Sequence, residues 1–256
     1  MHTNKVASRG WCAFLFKPKK KMPHLGKMKR IHEKLKKERR IFMNTKYIDL
    51  TTKYDGSIFT ELGQELKNGK IAVFKTDTVY GIGTNAFDEN ACKKIYEIKE
   101  RPMYKPLCVL ISDISMLKEL INFISPVEQK LIDAFWPGPL TIKFKKKENV
   151  LPDIVSADDE YVRVRLLEDG IAYNLISSAG VPIVAPSANL SNSPTGTNIK
   201  NIIAELGGKV DYILDSGNVN NNTTSTIVEV NNEKAIIIRE GKITKEEIAK
   251  VVPLYD

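Results

Sequence analysis

Short apolar runs and amphipathic helical segments alternate along most of the chain. Residues 57–68 place Ile58, Leu62 and Leu66 on one face of a helix. A run rich in β-branched and aromatic residues, 70–74, follows immediately and predicts a strand. Strands that alternate with helices through short connections pack as a sheet covered by helices, so the sequence predicts an α/β fold.

The same reasoning gives boundaries for the other elements. Asp88 is a helix N-cap and Pro102 cannot continue a helix, so these two residues bracket one. Gly81 and Gly83 precede that helix and predict a turn, because glycine permits backbone conformations that larger side chains block. Helices are predicted over 88–101, 126–135, 171–178, 199–206 and 245–251, and strands over 107–111, 140–144, 162–166, 183–185, 212–214, 226–230 and 235–239.

The net positive charge of the chain comes from its first 42 residues. All 256 residues together carry a net charge of +8, and residues 1–42 alone contribute +12, from 14 Lys or Arg against two Glu. Residues 43–256 therefore carry a net charge of −4. A mildly acidic domain has no general affinity for polyanions such as RNA.

This charge distribution divides the chain into two parts. We interpret residues 1–42 as a basic, disordered extension and residues 43–256 as one folded domain. Two other interpretations of the extension stay open. It is a nucleic-acid-binding arm, or it is translated upstream sequence that precedes a start at Met43, where a segment with the composition of a folded domain begins.

The histidines restrict the chemistry of the domain. His2, His24 and His32 all lie in the extension, and residues 43–256 contain none. A Ser-His-Asp triad, a Cys-His pair or a His-ligated zinc site is thereby excluded from the domain unless the extension folds back into it. Any catalysis there must use Lys, Arg, Ser, Thr, carboxylates or a bound metal.

The cysteines and the hydropathy indicate a cytoplasmic protein. Cys12, Cys92 and Cys108 have no C-x-x-C spacing, and an odd number argues against a disulfide framework. No apolar run approaches the roughly 20 residues that a bilayer-spanning helix needs. We therefore expect reduced, mostly buried cysteines and no membrane association.

Six short motifs occur in a fixed order along the domain. The motifs are TDTVYGIG from Thr76, KERP from Lys99 followed by KPL from Lys105, WPGPLT from Trp136, VRVR from Val162, APSANLS from Ala185 and STIV from Ser225. Together they are far more specific than any single glycine motif, and over about residues 55–240 the chain resembles the YrdC-like family.

The resemblance implies a fold and an activity. The implied fold is a twisted, mostly parallel or mixed sheet with helical cover, curved into a wide, positively charged groove. The implied enzyme is a nucleotidyltransferase, L-threonylcarbamoyladenylate synthase, which forms threonylcarbamoyl-AMP and pyrophosphate from L-threonine, bicarbonate or CO₂, and ATP. Its product serves the threonylcarbamoyladenosine modification of tRNA through a separate transferase complex.

The family signature is a Lys-x-Arg pair and a Ser-x-Asn pair. By resemblance these fall on Lys99 and Arg101, and on Ser187 and Asn189, which are the implied catalytic residues. A carbamate that attacks the α-phosphate of ATP concentrates negative charge, so fixed cations and hydrogen-bond donors suit the reaction. Two alternatives stay open: both cations complement a helix dipole, and Ser187 and Asn189 only cap a turn.

The resemblance assigns further contacts. Arg163 and Arg165 alternate along a strand and so share one cationic face. Thr78 is implied to bind threonine, with an ordinary strand-end residue as its alternative. Implied substrate contacts are Thr78, Thr141, Arg165 and Ser187, and implied nucleotide contacts are Arg101, Lys105, Ser187, Asn189, Ser191, Thr195, Ser225 and Arg239.

Three features complete the comparison with the family. Leu110 stands where some members have His, and Lys105 stands where some have Asn. The chain ends soon after the last motif, which indicates the short, single-domain form. Mg²⁺ is expected to arrive with ATP, and no residue is assigned as its protein ligand.

Two other functions compete with the synthase. One is an RNA-binding module or translation-associated factor that uses the groove, although the net charge of −4 and the absence of an aromatic stacking motif oppose it. The other is a carbamoyl-transfer enzyme with a different donor, and conversion of ATP to AMP and pyrophosphate distinguishes the two enzymes. Direct tRNA contact is not assigned by the sequence.

Overall fold

The structure is a computed structural model, and it describes residues 44–191, 193, 197–219 and 223–255. The predictions made for residues 1–42, for a start at Met43 and for Thr195 fall outside the described residues and stay predictions. Within the described residues, no helix combines the length and the hydrophobicity that crossing a membrane requires.

Helices and strands alternate as the sequence predicts. The helices are α1 (Ile58–Lys67), α2 (Glu89–Lys99), α3 (Ile114–Leu120), α4 (Pro126–Phe135), α5 (Asp153–Ser156), α6 (Ile171–Ala179), α7 (Ile199–Leu206) and α8 (Lys245–Ala249). The strands are β1 (Lys46–Asp49), β2 (Ala72–Lys75), β3 (Tyr80–Asn85), β4 (Cys108–Ile111), β5 (Leu140–Lys145), β6 (Tyr161–Leu166), β7 (Ile183–Val184), β8 (Tyr212–Asp215), β9 (Thr226–Asn231) and β10 (Lys234–Arg239).

These strands form one mixed sheet in the order β1-β8-β2-β3-β7-β4-β6-β5-β9-β10. Parallel pairing joins β1 to β8, β8 to β2, β4 to β6 and β5 to β9, and the other neighbours are antiparallel. Apolar side chains of the sheet and of the covering helices form one core. The predicted α/β fold is confirmed, and its central strands carry most of the motif residues.

The segment around Gly81 and Gly83 is a strand and not the predicted turn. Both glycines lie in β3, where they pair with Phe74 and Ala72 of β2. The turn lies earlier, at residues 76–79, where the hydroxyl of Thr76 accepts from the Val79 N–H at 3.2 Å. The glycines serve close packing instead, because a Cβ on Gly83 would come within 2.9 Å of the Phe74 ring.

This packing predicts different tolerance at the two glycines. A Cβ on Gly83 would also meet the Val184 carbonyl oxygen at 2.9 Å, whereas a Cβ on Gly81 meets nothing closer than 3.4 Å. Overpacking a dense interior costs about 1–3 kcal/mol. We expect Gly83→Ala to lower the free energy of unfolding by about that amount, with the matched variant Gly81→Ala well below it. Urea unfolding measures both, and equal losses would contradict the packing argument.

The end of α2 also differs from its prediction. The Asp88 side chain accepts from the Ala91 N–H at 2.9 Å, as expected of an N-cap. The helix ends at Lys99, because Glu100 adopts a left-handed conformation with φ of 50°, two residues before Pro102. Arg101 therefore lies outside the helix, in the segment that leads to β4.

Candidate active site

A cavity of about 140 Å³ lies where β3, β4, β5, β6, β9 and the loop after β7 meet. Its polar lining consists of cations and hydroxyl groups, and among the described residues no carboxylate lines it. The lining includes the arginines Arg101, Arg163, Arg165 and Arg239, and the hydroxyl residues Thr76, Thr78, Tyr80, Thr141, Ser187, Thr224 and Ser225.

The cationic side chains that line this cavity are all arginines. Residues 43–256 contain four arginines and 21 lysines, and all four arginines but none of the lysines line it. Burial is the main cause that lowers the pKa of Arg101 and Arg239. Guanidinium groups nevertheless stay protonated at neutral pH. A planar guanidinium binds two oxygens of a carboxylate or phosphate at once, so the cavity is suited to anions of that kind.

Arg165 is held from the side of the β2–β3 turn. Its Nη1 donates to the Thr78 hydroxyl at 3.1 Å, and its Nη2 lies 3.3 Å from Asp77 Oδ1. Both side chains of the ion pair are 6% exposed. Neither carboxylate oxygen of Asp77 has a hydrogen-bond partner among the described residues, so the ion pair compensates a buried charge. Arg165 therefore contacts one residue that was predicted, Thr78, and one that was not, Asp77.

Three other predicted residues lie together on the opposite wall. The hydroxyls of Thr141 and Ser225 are 2.9 Å apart across the parallel pair β5 and β9. Arg239 donates from Nη2 to the Ser225 carbonyl at 2.7 Å and to the Ser225 hydroxyl at 3.2 Å. Cys108 Sγ lies 3.9 Å from the Thr141 hydroxyl. The pairing of β5 with β9 holds Thr141, and Arg239 holds Ser225, which directly precedes β9.

Arg101 reaches the cavity from the segment after α2. Its Nε donates to the Lys105 carbonyl and its Nη2 to the Pro106 carbonyl, both at 2.9 Å. The same Lys105 carbonyl accepts from the Tyr96 hydroxyl at 2.9 Å. One edge of the guanidinium is therefore fixed on backbone oxygens, which orients the group within the cavity.

Ser187 lies at the cavity, in the loop after β7. It forms an isolated bridge with Gly81, and the Ala188 N–H donates to the Tyr80 carbonyl at 2.7 Å. Strand β3 therefore supports one side of this loop. Asn189 is buried in the same loop and donates to the Leu190 and Ser193 carbonyls, so its amide holds the loop and does not line the cavity.

The remaining predicted residues do not line this cavity. Lys99 is 1% exposed, and its amine contacts backbone carbonyls of the loop after β7. Lys105 and Ser191 also lie outside the lining, although Lys105 contributes its carbonyl to Arg101. Leu110, which stands where some relatives have His, is fully buried in β4. These placements do not test the predicted contacts, which stay predictions.

Sequence reasoning missed several contributors to this site, among them Tyr80, Thr224, Thr76 and Asp77. Thr76 lines the cavity and its hydroxyl organises the β2–β3 turn, and Asp77 compensates Arg165. Both belong to the TDTV motif, so the motif itself was the available signal. No group of three or more His, Cys, Asp or Glu that could hold a metal ion occurs within the described residues.

The arrangement favours electrostatic catalysis. Arginines do not accept protons near neutral pH, and the described residues of the lining include no histidine or carboxylate that could do so. Fixed cations and hydroxyl donors in a partly buried cavity stabilise charge that develops on phosphate or carboxylate oxygens. The site is therefore suited to a reaction between anionic groups rather than to proton abstraction.

Known proteins resemble this chain over the same region. The family model Sua5_yciO_yrdC, described as "Telomere recombination", matches residues 64–241. A threonylcarbamoyl-AMP synthase of Pyrococcus abyssi is 37% identical over 187 residues, which are 73% of this chain and 55% of that protein. A putative threonylcarbamoyl-AMP synthase of Methanocaldococcus jannaschii is 39% identical over 189 residues, which are 74% of this chain and 88% of that protein.

A solved structure agrees with these relatives. The crystal structure of P. abyssi Sua5 complexed with L-threonine matches with a TM-score of 0.77 and 34% identity, over 82% of this chain and 63% of that one. This chain thus spans little more than half of the curated P. abyssi relative. Since the family model covers more than half of the chain, the chain belongs to the Sua5/YciO/YrdC family.

Proposed function

We propose that this protein is a threonylcarbamoyl-AMP synthase, a nucleotidyltransferase that joins L-threonine, bicarbonate or CO₂, and ATP and releases pyrophosphate. The observation that carries the proposal is the placement of all four arginines of residues 43–256 around one cavity. The relatives named for this activity, and the one solved with L-threonine, support it.

The proposed chemistry uses the groups on the cavity wall. Threonine carries a carboxylate, and uptake of CO₂ by its amine adds a second anionic group, the carbamate. Arg165 with the Thr78 hydroxyl offers such a group a guanidinium and a donor. Arg101 and Arg239 supply cations for the phosphate oxygens as the carbamate attacks the α-phosphate. Both guanidiniums are oriented by backbone carbonyls before a substrate arrives, which is the condition for electrostatic stabilisation without reorganisation.

Mg²⁺ binds together with ATP in the proposed reaction. ATP carries the ion on its phosphate oxygens, and Mg²⁺ keeps most of its remaining ligands as water. The protein then contributes cations around the phosphates and needs no carboxylate cluster. The cytoplasmic location and the delivery of the product to a tRNA threonylcarbamoyl transferase complex remain parts of the proposal that rest on the family.

Synthesis is tested with the full chain, Mg²⁺, ATP and labelled bicarbonate, with and without L-threonine. We expect pyrophosphate release and a labelled adenylate that both require threonine and bicarbonate. Serine is the matched control substrate, because it differs only by the methyl group. Pyrophosphate release that does not require threonine and bicarbonate would overturn the synthase. A labelled carbamoyl product that contains no adenylate would favour carbamoyl transfer.

The RNA-binding alternative is tested on the same preparation. Phosphate-driven RNA binding weakens steeply with salt in proportion to the number of phosphates contacted. The domain alone, with net charge −4, is expected to bind RNA weakly at physiological salt, so any affinity of the full chain should belong to residues 1–42. Tight RNA binding by a protein without synthase activity would favour the alternative.

A further inference from the structure

Lys99 is a buried lysine at the end of α2 that contacts the backbone of another loop. Its Nζ donates to the Ser187 and Asn189 carbonyl oxygens, both at 2.5 Å. Its own carbonyl oxygen accepts from the Ser191 N–H at 2.8 Å. The residue is 1% exposed and does not line the arginine cavity. One lysine therefore makes three hydrogen bonds along a five-residue loop, 187–191.

Lys99 and strand β3 hold the 187–191 loop through different contacts, so the bonds from Lys99 are not replaced by those from β3. Strand β3 contacts it through the Gly81–Ser187 bridge, on the side that faces the cavity. Within the loop, Asn189 Oδ1 and Ser191 Oγ are buried without a hydrogen-bond partner among the described residues. Without Lys99, two buried carbonyl oxygens would also lose their donor. Unpaired buried carbonyls favour rearrangement of the backbone that presents Ser187.

We propose that Lys99 is a positioning residue, which fixes the 187–191 loop from inside the protein and thereby places Ser187 at the cavity. In this role the lysine acts through the loop backbone and does not contact the nucleotide. The effect on nucleotide binding rests on the proposed function, whereas the effect on the loop does not.

The surroundings of Lys99 also lower its pKa. Two charged groups interact with its amine: Arg101, which follows it in the chain, and Glu205 on α7, whose Oε2 lies 3.5 Å from the Leu190 N–H. Burial, and then the positive charge of Arg101, lower the pKa of Lys99 to about 7, while Glu205 opposes them.

The loop is tested with Lys99→Met, which keeps the length of the side chain and removes its donors. The matched control is Lys94→Met, an exposed lysine on the same helix. Amide hydrogen exchange of residues 187–191 is expected to quicken at least roughly tenfold in Lys99→Met, because the bonds that oppose loop opening are lost, and to stay unchanged in Lys94→Met. Unchanged exchange in Lys99→Met overturns the proposal, even if the activity is lost.

Discussion

Replacing Arg165 with Met is expected to abolish synthase activity and to lower the free energy of unfolding by about 3–5 kcal/mol. The guanidinium is 6% exposed and pairs with Asp77, whose carboxylate has no other compensating contact among the described residues. Removing one partner of a buried ion pair leaves the other charge buried and uncompensated. The Thr78 hydroxyl loses its donor at the same time. Chemical denaturation and pyrophosphate release measure the two losses.

A double variant separates stability from function at this site. Asp77→Asn combined with Arg165→Met removes both charges, so the buried carboxylate no longer destabilises the fold. We expect the double variant to recover most of the unfolding free energy and none of the activity. If its stability losses are simply the sum of the two single losses, the two side chains are not coupled and the assignment of the ion pair is wrong.

Replacing Arg101 with Lys is expected to lower kcat/KM by roughly 10²–10³-fold, the loss typical of removing one fixed donor from a charge-stabilising site. Lysine keeps the positive charge. Its ammonium lacks the planar fork of a guanidinium. It therefore cannot donate to the Lys105 and Pro106 carbonyl oxygens and to a substrate anion at the same time. The expected loss therefore comes from geometry and not from net charge.

The controls for Arg101→Lys exclude a general effect. Lys145→Arg makes the reciprocal exchange at an exposed lysine that pairs with Glu160 far along β5, and should leave kcat/KM unchanged. Circular dichroism and the unfolding midpoint show whether Arg101→Lys folds normally. A variant that folds normally and keeps more than about a third of the wild-type activity would contradict an orienting role for the guanidinium.

The longer elements could be predicted from the sequence because their signals are local. Helices at 126–135 and 199–206 have strong caps and clear apolar faces, and the structure reproduces these bounds. Strand β1 was missed because its four residues are mostly exposed and its strand conformation depends on parallel pairing with β8. The paired residues Lys46 and Tyr212 are 166 positions apart in the sequence. Local patterns cannot register a partner at that distance.

In the functional site, too, residues with a local sequence signal could be predicted and long-range contacts could not. The motif residues Arg101, Arg165 and Ser225 were predicted by resemblance, and the structure brings them to one cavity. The burial of Lys99 and the contact of Asp77 with Arg165 could not be predicted, because both depend on which backbone or side chain lies opposite in the folded protein. Gly81 and Gly83 were predicted to form a turn from their local preference, but both lie in β3. The close packing of Gly83 against the Phe74 ring and the Val184 carbonyl could not be read from local preference.

The use of arginine rather than lysine in the cavity wall has a consequence for how its charge depends on pH. Ammonium groups lose their proton when burial is severe, as the pKa of Lys99 at about 7 illustrates a short distance along the chain from Arg101. Guanidinium groups keep theirs over the whole physiological range. The guanidinium groups of the cavity wall therefore keep their charge in mildly acidic and mildly alkaline surroundings, whereas the buried amine of Lys99 does not.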